Sequence, residues 1–402
     1  MGQCVPVLKN QLFDDFVPAL PRMDGKSVAV TGCTSGTGKI FAKVCAQKGA
    51  RVVMLNRDSQ RAQEAFAEMK AAAAAAEAPE PLFVACDLTS FQSVRAAGTA
   101  LSRDAGLSEK GLDVLCNNAG IMGFPDVATE DKCDVQMQSN HLSHFLLTNL
   151  CMPLLGKAAD LRGEARVVNH SSALRVMDDD NFSNELDPKF LEKNGGNLGG
   201  NSETIMKGAN FHRSPGRCSE PDRCSEPDRE GIRMCPASIS RPTNWPLPFL
   251  VPKSGRYQQT KLANVVFTYA LHDRLQAAGS KIKSLCAHPG VAQTQLSTQT
   301  MKQGGAKDMQ KIPSWAMKLA AYFMFQTEED GACGILRQAL APEAKSREFF
   351  GPLGKGGNTG KYDKAESKGP VGVLAEQPLA HEKAREMLWR ISEEVTGQPF
   401  VV

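Results

Sequence analysis

Apolar positions along this chain repeat with two alternating periods. Short runs rich in Val, Leu, Ile and Cys occupy 27–31, 51–55, 82–86, 112–116, 166–170, 282–287 and 348–350. They are too short for helices and too uniformly apolar for half-exposed strands, so they predict buried parallel strands. Between them, helical spacing covers 36–48, 59–76, the stretch after Ser90, 131–155, an amphipathic 257–277 and 328–340. Gly49 stops the first of these helices, and Pro79 and Pro81 stop the second, whose alanine run offers little to pack and marks a surface helix. Strands alternating with helices at this spacing predict an α/β protein with a doubly wound, mostly parallel sheet.

Two stretches break the rhythm. Residues 1–24, with prolines at 6, 18 and 21, read as an irregular lead-in to a single domain over 25–402. Residues 181–254 are rich in Asn, Gly, Pro, Ser and Arg and repeat a hexapeptide, Cys218 to Arg223 and Cys224 to Arg229. With so little apolar periodicity they predict a disordered insertion that loops out from the sheet. Its one apolar patch runs from Pro242 through Trp245 to Leu250.

Chemistry concentrates where strands end. The first strand leads through Thr31 and Gly32 to Gly36 and Gly38, a G-x-x-x-G-x-G turn that opens a helix. Free N–H groups and the positive end of the helix dipole suit a pyrophosphate there. Asp87, Asn117, Ser172 and His288-Pro289-Gly290 also fall at carboxyl ends of strands, where such sheets bind ligands.

Composition narrows the picture further. A net charge of +3 over 402 residues is too small for a nucleic-acid surface. Twelve cysteines are scattered without a C-x-x-C pair, which argues against zinc or a redox dithiol and for reduced thiols in a cytoplasmic protein. His141, His144 and His288 lack ligand spacing, so no metal is expected. No apolar run is long enough for a spanning helix. Gly2 and Cys4 are placed for acylation, but Pro6 stands where that motif needs Ser or Thr. Met317, Leu319, Tyr322, Phe323 and Phe325 form a stripe open to three readings: substrate lid, membrane-facing surface or core-facing helix.

The motifs taken together resemble the short-chain dehydrogenases/reductases. Thr31-Gly32-x-x-x-Gly36-x-Gly38, Asp87, Asn117-Asn118-Ala119-Gly120, Asn140, Ser172, Tyr257-x-x-x-Lys261 and Pro289-Gly290-x-x-x-Thr294 follow the family's order over about 25–350. Residues 140–148 and 261–267 are similar to the retinol dehydrogenase and protochlorophyllide reductase branch. The resemblance implies a Rossmann-type fold with a nicotinamide cofactor. It places Thr31, Gly32, Thr34, Ser35, Gly36, Thr37, Gly38, Asp87, Leu88, Asn118, Ala119, Gly120, Pro289, Gly290, Val291 and Thr294 against that cofactor. It also gives Asn140 a water that relays protons to Lys261, and Lys261 a bond to the nicotinamide ribose.

The residues support those roles in chemical terms. Hydride transfer to a carbonyl leaves charge on oxygen, so a proton donor must stand beside it. Tyr257 is the candidate, and Lys261, one helical turn on, is expected to draw the phenol's pKa from about 10 toward neutrality. Ser172 is placed to hydrogen-bond the substrate oxygen. After the second strand the chain reads Asn56-Arg57 where NAD binders carry an acid, and Arg57 with Lys39 suits the 2′-phosphate of NADP(H). The leading expectation is thus an NADP(H)-dependent oxidoreductase acting on the carbonyl or alcohol of a lipophilic molecule. The alternatives are protochlorophyllide-type C=C reduction and a non-catalytic NADP-binding sensor or scaffold. The expected partner is a small-molecule substrate, with homo-oligomerisation and peripheral membrane contact left open.

Overall fold

A computed structural model describes residues 9–175, 185–194, 196, 198, 255–290, 292, 326–352, 371–373 and 380–402. Eight strands form one sheet: β1 (Ser27–Thr31), β2 (Arg51–Asn56), β3 (Leu82–Ala85), β4 (Val114–Asn117), β5 (Ala165–His170), β6 (Ile282–Ala287), β7 (Phe349–Pro352) and β8 (Val371–Val373). Their order is β3-β2-β1-β4-β5-β6-β7-β8, parallel throughout except for the last pair. The order reverses between β1 and β4, which opens a crevice beyond their carboxyl ends.

The strand sequences explain why both faces are covered. Alternate residues of a strand point to opposite sides. Ala29, Val53, Leu55, Leu115 and Val167 therefore join one apolar core, while Val28, Val30, Val52, Met54, Val114, Cys116 and Val168 join the other. Neither set reaches solvent, so a near-continuous apolar run serves two cores at once.

Helices α2 (Gly36–Gln47) and α3 (Gln60–Ala75) lie against the second core, and α4 (Phe91–Arg103) against the first. The Ser59 side chain accepts from Ala62 N and starts α3, and α3 buries only Ala62, Ala65, Met69 and Ala73, as befits a surface helix. A short α5 (Ala105–Lys110) was not foreseen, because its six residues carry no readable periodicity. The expected helix over 131–155 begins later and is broken. Asp134 caps a single turn, α6 (Val135–Met137); a π-helical turn spans Gln138–Leu142; then α7 runs Ser143–Arg162. An inserted π turn leaves the apolar period almost unchanged, which hides it from pattern reading.

Helix α8 (Gly255–Ala277) is not amphipathic as expected, since it is buried from Gly255 through Leu271. A C-terminal helix that no motif announced contributes to this. After α9 (Glu328–Leu340), α10 (Glu382–Thr396) covers α7 and α8. The ring of Trp389 lies 5.2 Å from Phe145 and 4.7 Å from Phe400, centroid to centroid.

Two expectations about irregular stretches need correction. Within the lead-in, Phe13–Ala19 form a helix, α1, whose start is capped by the Asp330 carboxylate through Gln11, Leu12 and Phe13 N–H at 2.8–3.0 Å. A cap from so distant a residue cannot be read locally. Likewise, the insertion does not leave the domain at once: Leu186, Phe190 and Leu191 are buried in the first core. Gln259 of α8 bonds the backbone at both Glu185 and Asp187. The duplicated hexapeptide, the 242–250 patch, Gly2, Cys4 and the 317–325 stripe lie outside the described residues.

Candidate active site

The crevice at the strand reversal is a cleft of about 370 Å³. Its floor is the glycine turn, lined by Gly32, Thr34, Ser35, Gly36, Thr37 and Gly38. Gly36 opens α2 at φ +60°, a conformation that side chains rarely adopt. At Gly38 the constraint is space: a Cβ would stand 2.3 Å from Asn118 Nδ2 and 2.5 Å from the Gly32 carbonyl. Ser35 makes no side-chain cap at the start of α2, where the Gly36 N–H instead meets the Glu328 carboxylate.

Thr31 lies beneath this floor rather than in it. It is 1% exposed, and its hydroxyl oxygen accepts from the backbone N–H of both Asn118 and Ala119 at 3.0 Å. Asn118 returns the contact from Nδ2 to the carbonyls of Thr31 and Gly32 at 2.9 and 3.2 Å. The ends of β1 and β4 are thereby stitched together, and Asn118, Ala119 and Gly120 become one wall of the cleft. Because the Asn118 amide nitrogen is spent on carbonyls, its Oδ1 accepts from Thr37 and from His170 Nδ1.

Tyr257 and Lys261 enter from α8, one turn apart, and both line the cleft. Ser172, just past β5, hydrogen-bonds the Tyr257 hydroxyl, while its own oxygen accepts from Leu174 N at 3.1 Å. Lys261 Nζ donates to the His170 carbonyl at 2.9 Å and lies 5.7 Å from the Tyr257 ring centroid. It is also close to Gly120, where a Cβ would come within 3.1 Å of Nζ. Burial lowers the Lys261 pKa to about 8. The phenol behaves otherwise than expected. Burial pushes the Tyr257 pKa up from 10, and the Ser172 bond offsets only part of that rise. In this state the Tyr257 phenol stays protonated at neutral pH.

Asn140 sits in the π turn, fully buried and outside the cleft lining. Its Oδ1 accepts from Ile121 N at 2.8 Å, and its Nδ2 donates to the Ile121 carbonyl and to Thr260 Oγ1, both at 2.9 Å. The amide is therefore used to join the wall at 121 to α8. The Asn140 carbonyl, for its part, accepts from His144 Nδ1 at 3.1 Å.

The outer rim departs from expectation at one cation. Lys39 is ion-paired with Glu68 on α3 and does not line the cleft. Arg57 does line it, joined by Ser59 and Arg61, which sequence reading missed. Arg61 lies in the first turn of α3, so only the fold shows that it faces the same rim as Arg57. Asn56 is turned inward, its Oδ1 accepting from Cys33 N at 2.9 Å. Asp87 and Leu88, past the end of the neighbouring strand β3, also line the cleft, and the Asp87 carboxylate is occupied by the N–H and hydroxyl of Thr89. Pro289 borders the cleft; Gly290, at φ +65°, is buried behind it and donates to His288 Nδ1. Val291 and Thr294 lie outside the described residues.

The family model for short chain dehydrogenases matches residues 26–183. Human retinol dehydrogenase 14 is 30% identical over 341 residues, covering 82% of this chain and 79% of that protein. The chain belongs to the short-chain dehydrogenase/reductase family. Within it, the chain falls in the retinol dehydrogenase branch, which also supplies the human retinol dehydrogenase 13 match, 26% identical over 392 residues, covering 93% and 94% of the two chains. Mouse polyprenol dehydrogenase is 28% identical over 398 residues, covering 97% and 90%. Two solved structures share the fold of this chain. One is an uncharacterised protein from Mycobacterium paratuberculosis, with a TM-score of 0.59 at 24% identity, covering 96% and 98%. The other is L-sorbose reductase from Gluconobacter frateurii, in complex with NADPH and L-sorbose, with a TM-score of 0.52 at 18% identity, covering 82% and 95%.

Proposed function

We propose that this protein uses NADP(H) to interconvert the carbonyl and alcohol forms of a lipophilic small molecule, with Tyr257 as the acid–base group. The observation that carries the reading is Tyr257, hydrogen-bonded to Ser172 and one turn from Lys261, lining a cleft floored by the glycine turn at the start of α2. The residues fit a dinucleotide: the Gly38 contact brings bare backbone against the cleft, and Arg57 and Arg61 supply positive charge beyond β2. Asp58, the acid beside them, accepts from Gln63 Nε2 and is absent from the lining. That distribution favours a 2′-phosphate over a free ribose diol.

NADP(H), when bound, supplies or takes up the hydride. The chain's part is the proton and the charge. Tyr257, held protonated by burial, donates to the substrate oxygen as negative charge develops on it. Ser172, within hydrogen-bond reach of the same hydroxyl, stabilises that oxygen. Lys261, cationic below its pKa of about 8, then stabilises the phenolate left behind. A lipophilic substrate is supported by the names of the retinol and polyprenol dehydrogenases among its relatives. The eight described cysteines are free and buried, which supports a reducing intracellular setting.

The test is NADPH and NADH oxidation by the purified chain with all-trans-retinal, long-chain aldehydes, polyprenals and small polar ketones. NADPH turnover with the lipophilic aldehydes is expected. NADPH binding without turnover on any carbonyl would instead favour the non-catalytic sensor.

A further inference from the structure

Helix α8 carries two rows of side chains one turn apart. Tyr257 and Lys261 form the row that lines the cleft. Arg256 and Thr260 form the neighbouring row, and both reach a single segment, 134–140. The Arg256 side chain has no exposure. Its Nε donates to Asp134 Oδ2 at 2.8 Å, its Nη2 pairs with the same carboxylate, and Asp126 Oδ1 lies 3.8 Å from Nε. Its remaining donors reach the carbonyls of Phe124 at 3.1 Å and Pro125 at 3.3 Å. Phe124 is itself part of the cleft wall. Asp134, 0% exposed, also caps α6 by accepting from Met137 N at 2.8 Å. One guanidinium therefore binds the start of α8 to the cleft wall and to the segment that carries Asn140.

A guanidinium suits this place for a geometric reason. Its planar fork holds a carboxylate and two carbonyls in fixed directions, which a lysine ammonium does not. The residue so held is the immediate neighbour of Tyr257 in the first turn of α8. We propose that Arg256 is a positioning residue, which clamps the first turn of α8 so that the Tyr257 hydroxyl stays on Ser172. Thr260, accepting from Asn140 Nδ2 and donating to the Tyr257 carbonyl at 2.8 Å, completes the clamp one turn later. The catalytic consequence rests on Tyr257 being the acid–base group; the clamp itself does not.

The experiment uses the full chain labelled with ¹³Cζ-tyrosine, which has four tyrosines, with Tyr257 assigned by its loss in Tyr257→Phe. Three variants are compared: Arg256→Lys, Arg256→Met with Asp134→Asn (which keeps an oxygen to cap α6), and Ser172→Ala. The Tyr257 Cζ resonance is expected to move in the double variant in the same direction as in Ser172→Ala. NADPH affinity should stay within about threefold and kcat for all-trans-retinal should fall at least tenfold with little change in KM. Arg256→Lys keeps the charge and loses the fork, so it should give a smaller displacement in the same direction and recover part of kcat. A folded double variant with an unmoved Tyr257 resonance overturns the clamp. If the double variant does not fold, an unmoved resonance in Arg256→Lys overturns it equally. Turnover retained in Tyr257→Phe would sink the acid–base reading, while the resonance still decides the clamp.

Discussion

Asn140 Nδ2 and Thr260 Oγ1 lie 2.9 Å apart, the one in a π turn and the other on α8. With Ile121 N and O, the Asn140 amide closes three hydrogen bonds in a fully buried site. Leaving buried polar groups unpaired costs about 1–3 kcal/mol each. Asn140→Ala is thus expected to lower stability by roughly 2–4 kcal/mol, once relaxation recovers part of the loss. Urea denaturation followed by tryptophan fluorescence measures this. A stability unchanged from wild type would leave Asn140 without the structural role assigned to it.

Tyr257 and Lys261 should separate in their effects. Tyr257→Phe removes the hydroxyl and keeps the ring, so NADPH binding should persist while turnover falls by about 10²–10⁴-fold, the usual range for loss of general acid catalysis. Lys261→Met removes a buried cation bonded to the His170 carbonyl, so NADPH affinity and kcat should fall together. Fluorescence titration with NADPH beside steady-state kinetics distinguishes the two. Equal losses of affinity in both variants would contradict the division of labour.

Much of this site is legible in the chain because its parts are local. The glycine turn and the Tyr257–Lys261 spacing are set by neighbours within one element, and the strand ends place them together once the sheet is parallel. What escaped reading depends on contacts distant in sequence. Lys39 reads as a cation for the cofactor until α3 brings Glu68 to it, and Arg61 reads as an ordinary helix residue until α3 is docked. The raised Tyr257 pKa follows from its burial in the assembled fold, which no local pattern shows, and α10, which packs on α8, carries no motif. The break at Gln138–Leu142 is hidden for the opposite reason, since one inserted residue barely disturbs a helical apolar period.

Cofactor choice tests the rim. Arg57 and Arg61 line the cleft, whereas Lys39 is paired with Glu68. A hydrogen bond to a charged group contributes about 1.5–3 kcal/mol, which corresponds to a loss of about tenfold or more in NADPH affinity for Arg57→Ala or Arg61→Ala. NADH affinity should change little in both, and Lys39→Ala should leave the ratio near wild type. Dissociation constants for the two cofactors in each variant provide the check. A fall in NADH affinity as large as that for NADPH would remove the arginines from 2′-phosphate recognition.

Acid should destabilise this fold through its histidines. Burial lowers the pKa of His141 to about 3, that of His144 to about 4 and that of His170 to about 3, and pushes His288 well below its ordinary value. All four are therefore neutral in the folded chain and titrate near 6.5 once it unfolds. Below that pH the unfolded chain binds more protons than the folded one, so stability is full above about 6.5 and falls as pH drops. Each such group contributes up to about 1.4 kcal/mol per pH unit, or roughly 2 kcal/mol by pH 5. His141 is the cleanest to remove. It packs 5.7 Å from the ring of Phe267, bonds Ser392 Oγ through Nε2 at 3.1 Å, and is not part of the cleft lining. His141→Leu should lower stability at pH 7.5 through the lost Ser392 bond, yet flatten the decline between pH 6.5 and 5 by about one proton's worth, some 1.4 kcal/mol per unit. Urea midpoints for wild type and variant at pH 7.5, 6 and 5 give both quantities. Parallel declines in the two proteins would mean that His141 does not contribute to the acid sensitivity.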